Sequence, residues 1–285
     1  MNSIFGTLIP IGGNEAKGNA NEDEGLDFIA EGILAQVVKE SGGTNAKIIV
    51  IPTASSVPDK VGENYLLAFN KLGCTDVTIL NLKDRGQGEE KQNIKLLNEA
   101  NCVMFSGGNQ STIASIIGGT TFHKVLPHKY LNEDFVIAGT SAGAMAMAND
   151  MIAGGSSTNA MLKGALRLRK GLSLIPELII DTHFITRGRF GRLVEAIAIH
   201  PELIGIGLAE DTGLVIKNGN EFGVIGSGMV IIFDGTLLTH NAHQQLEKGT
   251  PMSISNLTTH ILANGDKFNL NDRKIEVLPL HSAFV

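Results

Sequence analysis

The pentapeptide Gly139-Thr140-Ser141-Ala142-Gly143 closes a strand-like run beginning at Phe135 and has the spacing Gly-x-Ser-x-Gly. That spacing suits a nucleophile on a sharp strand-to-helix turn. The turn forces its central residue into an unfavourable dihedral region, and the small flanking residues leave the hydroxyl room to stand clear. A following helix would aim its first amides, and the positive end of its dipole, at the place where an oxyanion develops. An ordinary N-cap serine has the same local look, so the motif needs partners. One is FSGGNQ, Phe105–Gln110, which ends another strand in Gly107-Gly108, whose amides suit a second oxyanion donor. A serine also requires a base, and the base an acceptor that fixes its tautomer. Of the eight histidines, His183 in DTHFITRGRFGR (Asp181–Arg192) has the best setting, at a third strand end beside Asp181 and an arginine cluster. The orienting acid is either Asp181 or Glu210, the latter in IGIGLAEDTGL. Spacing alone favours Asp181, because residues two apart on a strand share a face. The chemistry would be acyl transfer.

The elements around these motifs repeat one pattern. Apolar runs of strand length, Ile4–Ile11, Lys47–Ile51, Val77–Leu82, Cys102–Phe105 and Phe135–Ala138, alternate with helix-period segments near 27–39, 65–72, 91–100, 112–117 and 142–148. Strands that are apolar throughout belong to sheets covered on both faces by crossover helices. The expected architecture is therefore α/β: a three-layer α/β/α sandwich around a mostly parallel, doubly wound sheet, with ligands collecting beyond the carboxyl ends of its strands. After about residue 205, Asn-Gly, Gly-Ser-Gly and Asp-Gly separate 213–217, 221–225 and 229–233, which read as antiparallel additions to the same sheet. No Pro- or Ser-rich linker interrupts the chain, so residues 1–285 read as a single domain.

Bulk composition excludes several functions. Of the 285 residues 43% are hydrophobic and 18% charged, and the net charge is −6, which argues against a general nucleic-acid binder or a protein held by anionic lipid. Two cysteines, Cys74 and Cys102, make no disulfide scaffold and point to a reducing compartment. The start, MNSIFGTLIPIGG, reads as a first strand and not a signal peptide, and no apolar run reaches membrane-spanning length, so a cytoplasmic location is expected. Gly-x-Gly-x-x-Gly and Walker-type loops are absent, and His240-x-x-His243 lacks a matching carboxylate and reads as a surface loop. No metal or organic cofactor is expected.

Five motifs in order, IGGNE (Ile11–Glu15), SGGNQ, GTSAGA, DTHFITRGRFGRL and GIGLAEDT, resemble those of the cyanophycinases. These serine peptidases share a superfamily with aspartyl dipeptidases and class I glutamine amidotransferase domains, and the likeness spans residues 8 to about 235. It implies that flavodoxin-like superfamily fold, usually as a homodimer, and cleavage of a polymer with an aspartate backbone and arginine side groups into β-Asp-Arg dipeptides. By position it implies Ser141 as nucleophile, His183 as base and Glu210 as the third member, displacing Asp181. Amides of Gly108 and Ala142 would hold the oxyanion. Gln110, Asp181, Arg187, Arg189 and Arg192 would line the substrate pocket, where guanidinium forks suit carboxylates. One departure stands out: Thr182 replaces a glutamine common in that family, so a substrate contact is expected to be lost or changed. An α-aspartyl dipeptidase, another β-aspartyl peptide hydrolase or a catalytically silent binding protein are the alternatives. A glutamine amidotransferase would carry cysteine where this chain has Ser141.

Overall fold

The strand β1 (Thr7–Ile11) is buried along its whole length and joins the two halves of a nine-stranded sheet. This computed structural model describes residues 4–18, 27–155 and 161–282. On one side of β1 the chain is doubly wound. Strand β2 (Ile48–Ile51) follows helix α1 (Ile33–Glu40), and β3 (Val77–Ile79) follows α2 (Pro58–Lys71). Helix α3 (Lys91–Glu99) leads to β4 (Cys102–Phe105), and α4 (Gln110–Ile117) with α5 (Thr121–Asn132) leads to β5 (Val136–Thr140). The order β1-β5-β4-β2-β3 is parallel throughout.

Period-two alternation sorts these apolar runs into two layers. Leu8, Ile137, Val103 and Ile49 stand in register and face one core, shared with Leu97, Ile113, Phe122 and Leu126 of α3 to α5. Their neighbours Ile9, Ala138, Met104 and Val50 face the other core, against Val37, Tyr65 and Phe69 of α1 and α2. With helices on both faces the molecule is the expected α/β/α sandwich.

The chain beyond β5 departs further from expectation. Helix α6 (Ala142–Met145) has four residues and does not run to Ala148. Its continuation is blocked because the carbonyls of Ala146 and Met147 accept from Leu172 and Leu174 amides at 2.7 and 2.8 Å. A hairpin of β6 (Asp150–Gly154) and β7 (Arg167–Lys170) follows, then β8 (Leu178–Asp181), α7 (Phe190–Ile199) and β9 (Ile204–Leu208). Strands β10 (Thr212–Lys217) and β11 (Glu221–Gly226) extend the main sheet antiparallel from β1, as expected. β12 (Met229–Asp234) does not join them. It pairs with β9, and β9 with β8, in a second sheet, so the expectation of one sheet is corrected. Val230, Ile232 and Phe233 are fully buried, and a central place with cover on both faces suits them better than the rim of the main sheet. The two-residue strands β13 (His240–Asn241) and β14 (Ile254–Ser255) pair with each other. β15 (Thr258–Ala263) borders β12, while β16 (Lys267–Asn269) and β17 (Ile275–Glu276) finish the main sheet beyond β11.

Candidate active site

The carboxyl ends of β1, β5, β8 and β9 converge, and each delivers one segment to the same place. Ser141 follows β5 with φ 50° and ψ −106°, a strained conformation for a residue with a Cβ. Glycines make the turn possible. A Cβ on Gly139 would lie 2.7 Å from the Gly143 carbonyl carbon, and one on Gly143 would lie 2.5 Å from the Phe105 carbonyl oxygen. Ser141 does not cap α6 with its side chain. Its Oγ lies 3.0 Å from His183 Nε2 instead. A four-residue helix carries little macrodipole, so any help from α6 comes from its first amides. The turn Gly107–Gly108 passes alongside, where a Cβ on Gly107 would sit 3.5 Å from Ser141 Cβ.

His183 is 7% exposed and also left-handed, with φ 48°. Its Nδ1 lies 2.6 Å from Glu210 Oε1 in the loop after β9. Burial disfavours the charged carboxylate, but bonds from His183, Asn14 and Thr186 outweigh it and hold the Glu210 pKa below the usual glutamate value. Asp181 does not touch the imidazole: β8 ends there and the turn at His183 breaks strand alternation.

The backbone of one short segment frames all three residues. Carbonyls of Ile11, Gly12 and Gly13 accept from the amides of Ser141, His183 and Asp211 at 2.9, 2.9 and 2.8 Å. Only glycine fits there. A Cβ on Gly12 would fall 1.7 Å from the Ala209 oxygen, and one on Gly13, at φ 107°, would fall 2.4 Å from His183 Cε1. The motif IGGNE thus has a function as a frame that sequence reasoning left unassigned; its one signal was a Gly-Gly pair directly after a buried strand.

A hydroxyl, imidazole and carboxylate in series form the arrangement that activates a serine. The model of peptidase family S51 matches residues 18–223. The chain belongs to peptidase family S51. It is 34% identical to a cyanophycinase of Geminocystis herdmanii over 92% of this chain and 93% of that protein. Identity is 35% to the cyanophycinase of Trichormus variabilis (94% and 87% covered) and 32% to that of Synechococcus elongatus (95% and 81% covered). Two solved structures share the fold: a peptidase from an acI-B1 actinobacterium, at TM-score 0.61 and 18% identity over 91% of this chain and 99% of that one, and a putative peptidase E protein from Listeria monocytogenes, at 0.51 and 17% over 77% and 98%. The chain is a serine-type peptidase of this family.

In this S51 peptidase the residues expected to line a pocket occupy two levels. Asp181 is fully buried and holds the lower one. Its carboxylate accepts from Arg192 Nε and Nη2, both at 2.5 Å, and from Arg189 Nη1 at 3.1 Å. Arg189 also donates to the Thr182 carbonyl at 2.6 Å. Two of the three expected arginines are therefore tied down by Asp181, while Arg187 is exposed and makes no ion pair among the described residues. Gln110, at the start of α4, is half-buried and donates to the Ile152 carbonyl at 2.6 Å. Thr182 is fully buried and its hydroxyl lies 3.4 Å from Met145 Sδ, so it packs beneath the serine turn.

Among the described residues no helix is long and apolar enough to cross a membrane. A cavity of about 650 Å3 lies over β10, β11 and β16 and is lined by none of the candidate site residues.

Proposed function

We propose that the protein is a cyanophycinase: a serine exopeptidase that cleaves multi-L-arginyl-poly-L-aspartate to β-Asp-Arg dipeptides. The observation that carries the reading is the series Ser141 Oγ, His183 Nε2 at 3.0 Å, then His183 Nδ1 and Glu210 Oε1 at 2.6 Å, built on a strained serine.

Ser141 Oγ attacks the main-chain carbonyl carbon preceding the released dipeptide as His183 Nε2 takes its proton. Negative charge moves to the carbonyl oxygen, where the amides of Gly108 and Ala142 receive it. Collapse breaks the C–N bond, and the amine leaves with the proton held by His183. Water then attacks the acyl-enzyme, gives its proton to His183, and Ser141 is restored. Glu210 keeps the imidazole in the tautomer with its hydrogen on Nδ1. Exposed Arg187 is the cation available to a substrate carboxylate, while Asp181 orients Arg189 and Arg192. The names of the relatives supply the polymer, whose isopeptide-branched chain would not fit ordinary peptidases. A cytoplasmic homodimer belongs to this reading, with a solution mass expected at twice the 30.2 kDa of the chain.

The test incubates purified protein with cyanophycin and separately with α-aspartyl dipeptides, and identifies products by mass. Release of β-Asp-Arg from the polymer is expected. Cleavage of α-aspartyl dipeptides alone would move the protein to the dipeptidase reading.

A further inference from the structure

The frame at the end of β1 continues into Glu15, which precedes the 18–223 span matched by the family model. Its side chain is 2% exposed. A buried carboxylate is costly unless it is well bonded, and this one is. Oε2 accepts from Thr140 Oγ1 at 2.6 Å. Oε1 accepts from the Tyr65 hydroxyl on α2 and from Lys17 Nζ, the latter at 3.0 Å. Lys17 Nζ also lies 5.0 Å over the Tyr65 ring. Burial alone would raise the carboxyl's pKa, but Lys17, Thr140 and Tyr65 together hold it below the usual glutamate value, so the group is ionised near neutral pH.

Thr140 is the residue immediately before the strained serine. The peptide joining them is therefore gripped from both ends of one segment. Ile11 O accepts from Ser141 N at 2.9 Å, and Glu15 Oε2 accepts from the Thr140 hydroxyl. Rotation about the Ser141 N–Cα bond toward a relaxed negative φ would carry Oγ away from His183. With the preceding peptide held on both sides, relief of the strain cannot come from tilting that peptide instead. The Tyr65 hydroxyl ties the carboxylate to α2 and lies beside the Thr140 hydroxyl as well, so it supports the same cluster from the helix layer.

We propose that Glu15 is a positioning residue that sets the orientation of the Ser141 hydroxyl through Thr140. The inference rests on the reading of Ser141 as nucleophile. Its test compares Thr140→Val, Thr140→Ser, Tyr65→Phe, Glu15→Gln and Ser141→Ala in steady-state cleavage of cyanophycin, with Tm recorded for each. Thr140→Val is expected to lower kcat about 10-fold, with KM changed by less than about twofold, because one bond to a charged acceptor beside the nucleophile is lost. Thr140→Ser restores the hydroxyl and should recover most of kcat. Tyr65→Phe removes a bond to the same carboxylate and should lower Tm comparably with a smaller loss of kcat. Wild-type kcat in Thr140→Val, failure of Thr140→Ser to rescue, or equal kcat losses in Thr140→Val and Tyr65→Phe would each overturn the proposal. Should Thr140→Val fail to fold, Glu15→Gln decides by the rate at which a fluorophosphonate labels Ser141: slower labelling supports the role and a wild-type rate refutes it. An inactive Ser141→Ala beside a fully active Thr140→Val rejects only the role of Glu15, whereas a fully active Ser141→Ala rejects the nucleophile itself.

Discussion

Two regions of the molecule have opposite character. The cavity over β10, β11 and β16 encloses about 650 Å3 and is bordered by exposed or half-exposed charges such as Lys217, Glu221 and Lys267. The rim at Ser141 concentrates left-handed non-glycine residues, Ser141 and His183 among them, and the buried carboxylates Glu15 and Asp181. The cavity lies between α1 and the antiparallel edge of the main sheet. Strain and buried charge report where the fold tolerates a cost for the sake of geometry.

Substitutions can break that contrast. The largest effect is expected from Glu210→Gln, which leaves the bond to His183 Nδ1 possible but favours the wrong tautomer; kcat should fall roughly 10^3-fold or more with the structure unchanged. Asp181→Asn removes the charge from a carboxylate that the buried Arg192 fork and half-buried Arg189 share, and chemical denaturation should show a loss of about 3 kcal/mol. Glu15→Gln sharpens the contrast through pH. The Glu15 pKa is lower folded than its ordinary 4.5, so its charged form stabilises the protein above that value and the benefit disappears as pH falls through the folded value. The variant should therefore be less stable than wild type at pH 7, and the gap in unfolding free energy should close below pH 4.5. The smallest effect belongs to the cavity. Lys217 pairs with Glu40 at 2.8 Å but is 52% exposed, so Lys217→Ala should change stability by less than about 0.5 kcal/mol and leave kcat as it is. A large loss of activity there would show that the cavity takes part in the reaction.

The same contrast explains what the amino-acid order made legible. Buried parallel strands were visible because each is a short, unbroken apolar run, and Ser141 and Gly107–Gly108 were visible because they end such runs. Helix α5 was not, since it carries Pro127 and a mostly polar surface. The turn at 226–228 signals a hairpin equally well whether its strands share a sheet or, as here, part into two. Alternation tied Asp181 to His183, because a strand rule fails beyond the strand end at Asp181, where φ turns positive at His183. Glu15 drew attention only as a letter in a motif. Its partners Tyr65 and Thr140 lie 50 and 125 positions away, a separation no local pattern encodes.

The central claim is that strain and a histidine make one hydroxyl reactive. Intact-mass analysis after exposure to a serine-directed fluorophosphonate tests it most directly. Wild type should gain a single adduct, mapped to Ser141, with no adduct in Ser141→Ala and greatly slowed labelling in His183→Ala. An adduct at a different residue, or equal labelling rates with and without His183, would contradict the account.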